Sequence, residues 1–188
     1  TSYTVTSSGG QTATGGSSPI TVTGLTNGVT YTFTVTATNS SGTSISSGTS
    51  NSVVPATTPN APTSVVAVVG DGEATVTFTA PVSNGGSAIT SYTVTSSGGQ
   101  TATGGSSPIT ITGLTNGTTY TFTVTATNAV GTGSASSASS AITPATTPDA
   151  PTSVSAVRGN GEATVTFTPP VNNGGSTITQ YTVTSNLG

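Results

Sequence analysis

The sequence predicts an all-β fold built in tandem copies. Three observations predict it. Apolar side chains alternate with Thr through most segments, Gly, Asn and Pro clusters separate those segments, and the pattern returns after 89 residues. No stretch carries the i, i+3, i+4 apolar stripe of an amphipathic helix. The 188 residues include 47 Thr, a residue that fits pleated, half-buried surfaces.

Each element can be justified in order along one copy. "SVVAVVG" at 64–70 becomes "SVSAVRG" at 153–159, so Val66 and Val69 correspond to Ser155 and Arg158 and are expected to face solvent. Val65, Ala67 and Val68 are then the core candidates, a spacing that implies a bulge. In "EATVTFTAP" at 73–81 the apolar row is Ala74, Val76, Phe78 and Ala80, with Thr between. "ITSYTVTSS" at 89–97 offers Tyr92 and Val94, and "SPITITGL" at 107–114 offers Ile109, Ile111 and Leu114. "TTYTFTVTATN" at 118–128 offers Tyr120, Phe122, Val124 and Ala126. The separators are "VGDGE", "APVSNGGS", "SSGGQTATGGSS" and "LTNG". These elements make a sandwich or barrel.

Residues 1–62 match 90–151 at 48 of 62 positions, and 61–99 match 150–188 at 30 of 39. A period of 89 residues is too long for a solenoid turn and suits a small domain. The Pro-rich seams "PATTPNAP" at 55–62 and "PATTPDAP" at 144–151 read as short, semi-rigid connectors. They divide the chain into the back part of one domain at 1–57, a complete domain at 58–146 and the front part of a third at 147–188. The missing initiator Met suggests a processed chain or a segment of a longer one.

The complete copy resembles a fibronectin type III domain. The resemblance is carried by "LTNGTTYTFTVTATNAVG" at 114–131, mirrored at 25–42, and by "APVSNGGSAITSYTV" at 80–94. It departs from the family in two places. The turn Pro is replaced by Asn116 and Asn27, which keep a strong Asn-Gly turn. The usual Trp of the second strand is replaced by Phe78 and Phe167. The resemblance implies tandem immunoglobulin-like, seven-stranded antiparallel β-sandwiches. It makes Tyr120 and Tyr31 tyrosine corners whose hydroxyls bond back near Leu114 and Leu25. Phe78, Phe167, Tyr92 and Tyr181 are the aromatic core positions.

Only Asp71, Glu73, Asp149, Arg158 and Glu162 are charged, and His, Cys, Lys, Met and Trp are absent. Abundant Ser and Thr therefore lack a base to activate them, and no enzyme chemistry or cofactor is expected. Asp71 and Glu73 form a close acidic pair, but Asn160 replaces the Asp in the next copy, so a solvated turn is the simpler reading. Calcium at Asp71, Glu73 and Asp149 is disfavoured because Asn60 replaces Asp149 at the other seam, and no metal site is expected.

Nucleic acid is not expected as a partner, because phosphate neutralisation needs many Lys and Arg and the chain has a single Arg. Membrane insertion is excluded by the lack of an apolar run of about 20 residues. Integrin-type recognition is not implied, because "RGN" at 158–160 lies on the wrong turn and is not Arg-Gly-Asp. Lys–Asn cross-links are impossible without Lys. Ice binding by the Thr rows is disfavoured by sheet twist. "NSS" at 39–41 and "NGT" at 116–118 fit the N-glycosylation pattern and leave surface glycans open.

The function that remains is architectural: an extracellular or cell-surface rod or filament, in a prokaryotic setting, whose partners are copies of itself or neighbouring repeats. The two end segments are complementary halves of one sandwich. Either the array continues beyond them, or the front part of one chain completes the back part of the next. The competing expectation is an adhesin stalk, spacer or carbohydrate-binding accessory region of a larger surface protein.

Overall fold

In a computed structural model of the chain, which describes residues 1–185, every regular element is a strand. By compactness the chain divides into two units. One is Thr1–Ala61 with Pro81–Thr90 and Ala126–Ser134. The other is Pro62–Ala80 with Ser91–Thr125 and Ala135–Gly188. The last three residues of the 147–188 segment lie outside the described residues.

The first unit contains β1 (Ser2–Ser7), β2 (Thr12–Gly15), β3 (Phe33–Asn39) and β4 (Gly42–Thr43). They form one antiparallel sheet in the order β2-β1-β3-β4. Tyr3 faces Gly15 and Ala37, and Val5 faces Ala13 and Val35, which sets Tyr3, Val5 and Val35 in one apolar row. Among the described residues no second sheet covers this row. Val35 is 36% exposed, whereas its counterpart Val124 is fully buried.

The strands that follow are β5 (Thr63–Val69), β6 (Glu73–Thr79), β7 (Ile89–Ser96), β8 (Thr101–Gly104), β9 (Ile109–Thr112) and β10 (Phe122–Asn128). The last two are β11 (Thr152–Arg158) and β12 (Ala163–Thr168). The second unit holds β5, β6, β8, β9, β11, β12 and most of β7 and β10. Two three-stranded sheets, β5-β6-β9 and β10-β7-β8, belong to the complete copy, and β11-β12 stand as a two-stranded sheet.

The core of the complete copy is the set expected from alternation. Ala74, Val76 and Phe78 of β6, Tyr92 and Val94 of β7, Ile109 and Ile111 of β9, and Phe122 and Val124 of β10 are all buried. Thr fills the alternate positions, so each sheet keeps a wet face without charge. Ala80 lies one residue past β6 and is exposed.

The first strand of this copy departs from expectation at one residue. Val66 and Val69 are largely exposed and Val65 and Ala67 are half-buried, but Val68 is 59% exposed rather than in the core. The reason is the position of the irregularity. The register shifts between Thr63 and Val66, where Ser64 takes a φ of 53°. Beyond it Val68 stands opposite Thr75 on the Thr face, and Val69 at the strand end is exposed as well.

The seventh strand position is filled without a regular ladder. Ser136, Ser139 and Ile142, three residues apart, donate their backbone N–H groups to the carbonyls of Val124, Phe122 and Tyr120, two residues apart. A three-residue period against a two-residue period would leave alternate donors of β10 unpaired. The Ser hydroxyls fill the gap: Val124 N–H donates to Ser136 Oγ at 2.9 Å and Phe122 N–H to Ser139 Oγ at 3.1 Å. The first unit repeats the stitch with Ser44, Ser47 and Ser50 against Ala37, Val35 and Phe33.

Candidate functional site: repeat junctions and half-built cores

The tyrosine-corner positions are formed in both copies. Thr115 N–H donates to the Tyr120 hydroxyl at 3.1 Å, and Thr26 N–H to the Tyr31 hydroxyl at the same distance. That backbone bond from Thr115, together with bonds from neighbouring side chains, lowers the Tyr120 pKa below its ordinary value. Leu114 is buried beside this turn, and Leu25 is half-buried. Phe78 and Tyr92 pack with ring centroids 4.9 Å apart, and Phe167 and Tyr181 repeat the pair at 4.8 Å. These aromatic positions therefore pair within their own copies.

At the two seams the proline-rich strings are hydrogen-bonded contacts as well as connectors. Within the first unit, Gly28 N–H donates to Pro55 O, Thr57 N–H to Gly85 O and Asn60 N–H to Ser83 O, at 2.9 to 3.0 Å. Within the second unit, Gly117 N–H donates to Pro144 O, Thr146 N–H to Gly174 O and Asp149 N–H to Asn172 O, at 2.8 to 3.1 Å. Every donor and acceptor of the second set is the first set displaced by 89 residues. The signal was present in the sequence as two invariant strings, "TNG" and "NGG", and nothing in their composition said that they meet.

Glycine is required at this contact. Gly85 and Gly86 have φ of +74° and +83°, and a Cβ on Gly85 would overlap the carbonyl oxygen of Thr57. A Cβ on Gly86 would overlap the backbone of Asn27 and Gly28. Asn128 closes the seam of the first unit, its amide donating to the carbonyls of Thr57 and Asn84, both at 2.8 Å.

In the second unit Asp71, from the turn between β5 and β6, bonds to the seam. Asn116 Nδ2 donates to Asp71 Oδ1 at 2.7 Å, Thr146 Oγ1 donates to Oδ2 at 2.9 Å, and Gly72 N–H donates to Asn116 Oδ1. The Asn116 bond, then the Thr146 bond, lowers the Asp71 pKa from its ordinary 3.8. Asp71 thus works as a latch between its own hairpin turn and the seam. Among the described residues no group of three acidic, His or Cys side chains is placed to hold a metal ion. The Asn116 side chain of the "NGT" string is occupied by these bonds, whereas Asn39 of "NSS" is exposed.

Two half-built cores complete the picture. In the first unit a groove of about 440 Å³ is lined by Tyr3, Val5, Gly16, Ile20 and Val35. In the second unit one of about 430 Å³ is lined by Val154, Val165, Phe167, Ile178, Tyr181 and Val183, among others. Among the described residues no helix is long and apolar enough to cross a membrane.

An all-β sandwich with tyrosine corners and Gly-Gly turns defines an immunoglobulin-like class of domain. Residues 60–142 match the fibronectin type III domain family, and that stretch has its fold. Among solved structures, the chain is similar to domains A168–A170 of titin, with 26% identity and a TM-score of 0.47 over 60% of this chain and 40% of that one. It is also similar to the titin kinase with its flanking domains, at 28% identity and a TM-score of 0.43 over 46% of this chain and 17% of that one. The FN1–FN3 domains of chicken CNTN1 match at 22% identity and a TM-score of 0.44, covering 89% of this chain and 66% of that one. The chain therefore spans less than half the length of the two titin structures it matches. The comparison with curated proteins gave no match.

Proposed function

We propose that the chain is part of an extracellular structural protein, a rod or filament made of near-identical fibronectin type III-like repeats. The array is either continuous or a head-to-tail polymer completed by strand exchange between chains. The observation that carries this reading is the recurrent seam. The same three backbone bonds, with glycines at the same contact, are used at both seams. A joint copied with its repeat passes from each unit to the next, which is how quasi-one-dimensional arrays are built. A tether with no mechanical role has no need of glycines that meet backbone at each joint.

The protein acts without catalysis in this reading, and its setting is the outside of a prokaryotic cell. Intact-mass measurement of the source protein, combined with electron microscopy of its assemblies, tests it. Fibres or stalks consisting largely of the 89-residue repeat are expected. A folded 17.9 kDa monomer, with no fibres and no longer parent chain, would overturn it. A monomeric parent in which the repeats only separate a different binding domain from a surface would replace it with the spacer reading.

A further inference from the structure

We propose that Asn116–Gly117 is a latent site of succinimide-forming deamidation, protected while the second seam is closed and unable to close that seam again once converted.

Asparagine is a thermolabile residue, and a following glycine leaves its carboxamide open because no side chain shields the next nitrogen. The reaction needs the Gly117 amide nitrogen to lose its proton and reach Cγ of Asn116. A five-membered succinimide then closes, the bond from Cγ to the carboxamide nitrogen breaks, and ammonia leaves. Water opens the ring to aspartate or, through the other carbonyl, to isoaspartate.

The closed seam blocks each requirement. The Gly117 N–H is committed to Pro144 O at 2.9 Å. The carboxamide is held at both ends: Nδ2 donates to Asp71 Oδ1 at 2.7 Å, and Oδ1 accepts from Gly72 N–H at 2.9 Å. Thr146 Oγ1 donates to the other Asp71 oxygen at 2.9 Å, so the carboxylate and the seam are fixed together. Gly175 lies against the same atoms. A Cβ there would overlap the Gly117 nitrogen and stand 2.9 Å from Asn116 Cβ. Asn116 is therefore half-buried, while Thr115 and Gly117 on either side are exposed.

Conversion leaves products that the closed seam cannot hold. An aspartate at position 116 has no Nδ2 donor, and it sets a second carboxylate against Asp71, where like charges repel. An isoaspartate lengthens the backbone by a methylene beside Gly175, where a single Cβ already has no room. Both products favour the open seam. One opening that lasts long enough for ring closure thus becomes permanent.

Peptide mapping by mass, after incubation of the 188-residue chain at mildly alkaline pH, tests this. Asn116 should convert more slowly than in a synthetic peptide of residues 112–121. Asp71→Ala should speed conversion at Asn116 about two- to fivefold, the range an exposed charged contact supports. Conversion at Asn84, which also precedes a glycine, should stay unchanged. Asn116→Asp should speed hydrogen exchange at the Thr146 amide, which donates to Gly174 O, and leave β10 as protected as before. Conversion at Asn116 as fast as in the peptide, or unaffected by Asp71→Ala, would overturn the proposal. So would an Asn116→Asp chain whose Thr146 amide keeps its protection.

Discussion

Residues 20–23 read Ile-Thr-Val-Thr and residues 109–112 read Ile-Thr-Ile-Thr, yet only the second stretch is a strand. The flanking sequence is the same on both sides, down to the preceding Ser-Ser-Pro and the following Gly-Leu-Thr-Asn-Gly. What differs is the neighbour: β6 pairs with 109–112, and among the described residues nothing pairs with 20–23. The same holds for "YTVT" at 181–184, which is unpaired, against β7, which pairs on both sides. Strand formation in this protein therefore belongs to the pair of segments, as expected where β-propensity reflects packing rather than an intrinsic backbone preference.

Local hydrogen-bonded devices behave in the opposite way. Tyr31 is as buried as Tyr120 (4% and 5% exposed) although half of its sandwich is absent from the first unit. The Ser stitch likewise forms in both copies. Two levels of organisation are thus separable in one chain: devices that close within about 25 residues, and a core that closes only when both sheets are supplied.

Substitutions at equivalent positions sharpen the comparison. The largest difference should come from Phe122→Ala against Phe33→Ala. Phe122 is fully buried and Phe33 only half-buried. Urea denaturation should show a loss of about 3–5 kcal/mol for the first and less than half of that for the second. Equal losses would mean that the first unit is closed in solution.

The junction glycines come next. Gly85→Ala must hold a Cβ at φ +74° against the Thr57 carbonyl, whereas Gly99→Ala at φ +91° meets nothing within 4 Å. Gly99→Ala should cost about 1–2 kcal/mol of conformational strain. Gly85→Ala should cost clearly more and broaden the thermal transition as the seam loosens.

The Ser stitch ranks third. Ser136→Ala strips the partner from the N–H of Val124 in a buried setting, and calorimetry should register about 1–3 kcal/mol. Ser47→Ala, in an exposed setting, should cost less because water replaces the lost acceptor.

The smallest effect concerns pH. Asp71 is held below its ordinary 3.8 in the folded chain. Its contribution is therefore present above that value and lost as pH falls through the lower, folded one. Acid titration of melting temperature should show this loss in the parent chain and its absence in Asp71→Asn.

Much of the fold was legible because alternation with period two is a direct record of which face is buried. Val76, Phe78, Val94 and Phe122 could be placed in the core from spacing alone. Val68 could not, because a bulge resets the alternation and its position depends on the backbone at Ser64. The Ser stitch was hidden for a related reason. Its three-residue period in "SASSASSAI" matches neither strand nor helix, and its meaning appears only beside β10. The seams were legible as proline-rich strings but not as contacts, since a meeting of two glycine turns leaves no hydrophobic trace.

Hydrogen exchange in the intact 188-residue chain tests the central claim most directly, by comparing the amides of residues 20–23 with those of 109–112. In dilute solution the first set should exchange at close to the free-peptide rate while the second is protected by the ladder with β6. Equal protection of both stretches in dilute solution would contradict the account, because it would show that the segment forms its strand without a partner.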